Sequence, residues 1–204
     1  RRPLADVLVD SVRAIRLAEA AQLRAVCDLV DAYRTIPDLP APGGPRLRPS
    51  GADGTPEIDE FLVCELHPLL QMSAGSAWAL IHDAINLRER HPRAWAMVQA
   101  GQVPVWQARQ VAQACTTLPA EAARGIDERF APSLASLPWG RAKKRLAGLV
   151  LAAEPEAARE RQRAARRDRF VRLSHTGDGT SWLIAQLSTA DAITLGHAID
   201  GMAR

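Results

Sequence analysis

SAGSAWALIHDAINLRERHPRAWAMVQAGQVPVWQARQVAQACTTLP, residues 73–119, is the stretch on which the fold turns. Ser73 supplies an N-cap oxygen, and Trp78, Leu80, Ile81, Ile85 and Leu87 recur at helical spacing to about Arg90. His91-Pro92 breaks that helix, because a residue before proline is pushed out of the helical region. Pro92 suits the first position of a new helix carrying Trp95 and Val98, and Gly101 fits its C′ position. Pro104 opens a helix through Trp106, Val111 and Cys115, and Pro119 opens one through Ile126 and Phe130. Proline and glycine thus mark off short amphipathic helices, which predicts a mainly α domain.

Upstream, residues 4–36 read as one long helix whose apolar stripe runs Leu8, Val12, Ile15, Ala18, Gln22, Val26, Leu29 and Tyr33. Residues 37–56 hold six Pro and four Gly, a density that predicts a linker or surface loop with no regular element. Thr55-Pro56-Glu57 has the chemistry of a helix start, and Pro68 should kink or end that helix. Downstream, Pro138 begins a basic helix with Leu146, Leu149 and Val150, and Pro155 begins an Arg-rich helix ending near Arg167. The period then changes. Residues 170–173 and 182–187 are strand-like and flank Thr176-Gly177-Asp178-Gly179, a hairpin signal. Ser188 and Asp191, at capping-box spacing, open a last helix through Ile193, Leu195 and Ile199. The expected domains are an amphipathic helix over 1–36, a linker over 37–56 and a helical domain with terminal hairpin over 57–204.

Composition supports this. The 204 residues include 37 Ala and 24 Arg but only 4% aromatics, which favours packed helices over sheets. No apolar run approaches the ~20 residues of a membrane span, and no signal-peptide core opens the chain. Cys27, Cys64 and Cys115 form no CxxC pair and sit in apolar helical patterns, so they read as reduced core residues of a cytoplasmic protein. The five tryptophans, Trp78, Trp95, Trp106, Trp139 and Trp182, read as core as well.

Catalytic signatures are lacking. The histidines, His67, His82, His91, His175 and His197, make no HExxH and no Cys/His cluster, and GxSxG, GxGxxG and GxxxxGK[ST] are absent. No cofactor or metal site is readable. Residues 57–90 have the outline of a helix–turn–helix with Ser73 and Ser76 near the second helix start. That stretch nets −4, with Arg88 and Arg90 its only cations, so a plain helical pair packed through Trp78, Ile81 and Ile85 is the favoured reading.

Charge concentrates elsewhere. Although the whole chain is +3, residues 141–172 carry eleven basic and four acidic side chains, a net +7. Arg141, Lys143, Lys144 and Arg145 cluster within five positions, while Arg159, Arg163, Arg166 and Arg167 recur at helical spacing. Such asymmetry fits an anionic partner, and with Trp139 the only aromatic in the cluster, a duplex suits it better than a single strand. The competing reading pairs these arginines with Glu154, Glu156 and Glu160 along the helix.

Several segments resemble one family in order and spacing. They are Leu70-Gln71-Met72-Ser73, residues 92–101, Trp106-Gln107-Ala108-Arg109-Gln110-Val111, residues 151–157, Arg169-Phe170-Val171-Arg172-Leu173, Asp178-Gly179-Thr180 and residues 198–204. The series resembles the domain of unknown function 222, or 13E12 repeat, family of actinobacteria, over roughly residues 57–204. The resemblance implies a helical domain that precedes an HNH nuclease module, which would use a divalent metal that this chain itself does not bind. This sequence shows no His-Asn-His constellation, so no catalytic residue carries over. The expectation is an accessory domain that binds or positions duplex DNA through Arg141, Lys143, Lys144, Arg145, Arg163, Arg166 and Arg167. The alternative is a protein–protein interaction or dimerisation module with no direct DNA contact, its 4–36 helix pairing with a second copy or packing on another domain.

Overall fold

The computed structural model describes residues 3–34, 47–155, 163 and 168–202. They belong to two compact units, Arg1–Ala153 and Glu154–Arg204. In the first, α1 (Leu4–Arg34) is followed by β1 (Leu47–Pro49), β2 (Glu57–Asp59) and α2 (Leu62–Leu69). Then come α3 (Ala74–Arg90), α4 (Pro92–Gln99), α5 (Val105–Ala114), α6 (Ala120–Ser136) and α7 (Trp139–Ala153). The second unit holds β3 (Phe170–His175), β4 (Ser181–Gln186) and α8 (Thr189–Met202). The protein is thus mainly helical, with a long first helix and a C-terminal hairpin followed by a helix.

Helix α3 is the hub of the first unit, packing against α1, α2, α4, α5 and α6. It therefore buries Leu80, Ile81, Ile85 and Leu87, and also Asp83, Asn86 and Arg90. The caps follow the sequence. Ser73 Oγ accepts from Ser76 N–H at 3.1 Å, and Gly101 takes φ +69° at the end of α4. A Cβ at Gly101 would also stand 3.1 Å from Leu17 Cδ2, so both backbone conformation and the approach of α1 require glycine there. His91 gives α4 no side-chain cap. Asp127 of α6 does so from a distance, its buried carboxylate accepting from Arg93 N–H at 2.7 Å and Ala94 N–H at 3.0 Å.

Several expectations are corrected. Regular structure does enter the Pro/Gly-rich stretch: β1 pairs antiparallel with β2, Pro49 opposite Glu57. A two-stranded ribbon is all edge, and proline is tolerated on an edge. Residues 50–56 form a packed turn, with Ala52 N–H donating to Asn86 Oδ1 at 2.9 Å. Thr55-Pro56-Glu57 consequently starts no helix. Thr55 Oγ1 donates to Ala52 O, and Glu57 begins β2, which buries Ile58 completely. Residues 35–46 lie outside the described residues. The α1 stripe is half covered: Val26 is buried and Leu29 and Tyr33 pack at the core, but Leu8 and Ile15 are exposed. The face that α1 buries runs through Ala20, Leu23, Cys27 and Val30 instead. Cys64 is exposed because Leu62, Val63 and Leu66 set the inner face of α2. None of the tryptophans is fully buried: Trp78, Trp95 and Trp139 pack at the edge of the core, and Trp106 and Trp182 are exposed.

In the second unit, β3 and β4 pair in register from Phe170 opposite Gln186 to His175 opposite Ser181. Asp191 N–H donates to Ser188 Oγ at 3.2 Å, the expected cap of α8. Val171, Leu173, Trp182 and Ile184 are exposed in this hairpin. Residues 156–162 and 164–167, where the Arg-rich helix is expected, lie outside the described residues.

His91 gives the first unit an acid sensitivity. It is fully buried, and neither ring nitrogen has a hydrogen-bond partner. Burial first, then the neighbouring Arg90 cation, lower its pKa from 6.5 to about 3. The unfolded chain therefore takes up a proton that the folded state refuses between those values. Stability is intact above pH 6.5 and falls as pH drops towards 3, by up to about 5 kcal/mol. Urea denaturation at pH 7 and pH 4.5 should show His91→Phe removing a loss of about 2–3 kcal/mol that the unsubstituted protein suffers. An identical pH dependence in both proteins would contradict this assignment.

Candidate nucleic-acid interface

Helix α7 is amphipathic in a simple way. Ala142 and Leu146 are buried against the core, which turns the residues between them outwards. Arg141, Lys143, Lys144 and Arg145 are all exposed. Arg141, Lys144 and Arg145, at i, i+3 and i+4, share one arc of the helix. Lys143 lies on the flank towards α5. None of the four is ion-paired to a carboxylate among the described residues. The segment thus presents four cations together, none of them ion-paired among the described residues.

The other candidates fare differently. Arg163 is exposed and belongs to the second unit. Arg166 and Arg167 lie outside the described residues, as do Glu156 and Glu160. Arg169 Nη1 stands 3.3 Å from Asp191 Oδ2, so part of the positive charge of the second unit is paired.

The helix–turn–helix outline is present in α2 and α3 but lacks free cations. Arg88 is clamped by Asp31, Nη1 and Nη2 donating at 2.7 and 2.8 Å, while its Nε donates to Glu89 at 2.8 Å. Arg90 is buried in the core. Ser73 and Ser76 are engaged with each other at the cap of α3, Oγ to Oγ 2.9 Å. Ile81 and Ile85 are completely buried, so the favoured reading of a structural helical pair matches the packing.

Beside Lys143, a half-open cavity of about 320 Å³ lies between α5 and α7, lined by Gln110, Gln113, Trp139, Lys143 and Leu146 among others. Trp139 is braced edge-to-face by Trp106, ring centroids 5.3 Å apart at 78°. Behind the cavity, Asp83 accepts from Arg109 Nε at 2.8 Å and Gln113 Nε2 at 2.7 Å. Gln113 Oε1 in turn accepts from Gln110 Nε2 at 2.9 Å. Sequence reading missed the two glutamines. Their only signal is the i, i+3 spacing on a helix that already carries Trp106 and Arg109, and that is not specific. Among the described residues no three His, Cys, Asp or Glu side chains gather to hold a metal ion. No described helix is long and apolar enough to cross a membrane.

No curated protein and no solved structure matches the chain. The profile of the family described as "Domain of unknown function (DUF222)" matches residues 45–204, beginning just before β1 and taking in the basic helix and the whole second unit. With most of its length matched in this way, the chain belongs to the DUF222 family.

Proposed function

We propose that this protein holds duplex DNA, with little sequence preference, on the outward face of α7. The observation that carries the reading is the exposed set Arg141, Lys143, Lys144 and Arg145, none of which is ion-paired among the described residues. Four neighbouring cations match a phosphate backbone, whose charge supplies most of the affinity in non-specific binding. Among the described residues no groove-reading element carries free cations, which argues against strong sequence selectivity. Arg163, Arg166 and Arg167 are proposed as further contacts. In a protein that also carries an HNH nuclease module, such a domain would be the accessory part that keeps the duplex near the cutting site.

The test is fluorescence anisotropy with two unrelated duplexes over about 50–200 mM salt. Similar affinities are expected for both, with log K falling against log salt at a slope of about −3 to −4 for four neutralised phosphates. Absence of binding at the low-salt end would remove the proposal. A second reading, a protein–protein module without DNA contact, is favoured by the exposed Leu4, Leu8 and Ile15 on one face of α1. Light scattering on the same samples separates the two, because that reading expects a concentration-dependent dimer that ignores DNA.

A further inference from the structure

We infer that the cavity between α5 and α7 receives one unpaired nucleotide of a DNA strand, its base against Trp139, its edge at the Gln110 amide and its phosphate at Lys143. The inference rests on the duplex-holding reading and adds to it a pocket and an occupant.

Four features converge. At about 320 Å³ the cavity is at the small end of ligand pockets, sized for one small group and not for a chain segment. Its lining is largely apolar, with Leu146 and the Trp139 ring among the walls, and an aromatic wall is what an unstacked base seeks. The polar group on the α5 side is held in advance. Asp83, with only 8% of its side chain exposed and fixed by Arg109, orients the Gln113 amide, and Gln113 orients Gln110. Gln110 Oε1 then has no partner among the described residues, and Nε2 keeps a second proton. A free acceptor beside a free donor is the complement of a base edge, as glutamine provides for adenine. Finally, Lys143 sets a cation at the rim, and Arg141, Lys144 and Arg145 continue the positive surface along α7.

A flat ring, a donor–acceptor edge and an anion within one small site describe a nucleotide. A base inside a paired duplex cannot enter such a pocket, because its neighbours in the stack cover both the faces that Trp139 would take, although its major-groove edge stays open. A looped-out or single-stranded base can. The pocket therefore makes an otherwise sequence-blind surface selective for DNA with a base out of the stack.

The experiment compares affinities, by anisotropy, for a fully paired duplex and for the same duplex with one bulged adenine, with dAMP as a separate competitor. The bulged duplex should bind about tenfold more tightly, the range expected for stacking one base. Gln110→Ala and Trp139→Ala should each bring the ratio of the two affinities close to one, while Trp139→Phe keeps most of it. Thermal melting by circular dichroism shows whether each variant is folded. If Trp139→Ala is not, the exposed Gln110→Ala decides alone. Equal affinity for bulged and paired DNA overturns the pocket but leaves the duplex-holding surface standing. Failure to bind either DNA overturns both. Displacement by dAMP without a bulge preference also overturns the inference, because the occupant is then a free nucleotide.

Discussion

Arg90→Ala should destabilise the first unit by about 4 kcal/mol or more, the sum of a core cavity and of lost hydrogen bonds to buried acceptors. Arg90 is completely buried at the end of α3. Its Nη2 donates to Cys115 O and to Leu118 O, and its Nη1 to Asn86 Oδ1 at 3.3 Å. One guanidinium thereby ties the central helix to the connection between α5 and α6, and Asn86 links it to the turn at Ala52. Truncation removes a large packed side chain, takes the donor from Leu118 O and leaves Cys115 O with only the Leu118 N–H. No carboxylate pairs with this cation among the described residues, and burial lowers its pKa from the usual value, so the charge itself opposes folding.

That opposition makes the substitution series informative. Arg90→Lys keeps the charge but loses the planar fork that reaches two carbonyls at once, and should lose about 2 kcal/mol or more. Arg90→Met relieves the burial of charge yet takes the same donor from Leu118 O, and should fall between lysine and the unsubstituted protein or near lysine. Urea denaturation followed by helical circular dichroism gives all three. Small domains hold about 5–15 kcal/mol in total, so the alanine variant sits close to unfolding. A loss below about 1 kcal/mol would show that the hydrogen bonds of Arg90 matter little.

Arg90 also shows where the sequence stopped being legible. The proline and glycine punctuation marked the boundaries of α3 to α7 closely, because Pro92, Gly101, Pro104, Pro119 and Pro138 act through local backbone sterics, although Pro132 lies inside α6 and Pro56 precedes a strand. The hairpin and the cap of α8 were legible for the same local reason. What a helix packs against is not local. Asp83, Asn86 and Arg90 look like the polar side of a surface helix, and only a helix surrounded by five others buries them. Likewise β1 and β2, three residues each, carry too little periodicity to stand out beside six prolines.

The candidate interface divides along the same line. That Arg141, Lys144 and Arg145 point outward follows from Ala142 and Leu146 alone, since the positions of the core residues fix the helix face. The cavity does not follow, because Gln110 and Gln113 come from α5 and Trp139 and Lys143 from α7. Their meeting depends on how two helices cross.

Reversing Lys143, Lys144 and Arg145 to glutamate should abolish duplex binding in the accessible range and flatten whatever salt dependence survives. Every phosphate that is no longer neutralised takes about 0.9 from the slope of log K against log salt, so with three cations gone α7 neutralises at most about one phosphate. Each new carboxylate also faces the polyanion at close range. A drop in affinity above about 100-fold at about 50 mM salt is therefore expected, larger than neutral glutamines would cause. The fold should tolerate the change. The three side chains are exposed, and glutamate is as good a helix former as lysine or arginine. The effect of net charge is gauged by reversing Arg48 and Arg93, a change of −4 against −6 on α7; they already stand beside Glu60 and Glu128 and should alter binding little. If both sets of reversals weaken binding equally, the chain is only a diffuse polycation and α7 has no special place. If neither does, the cations of α7 do not hold DNA, and the apolar face of α1 becomes the better account of what this domain contacts.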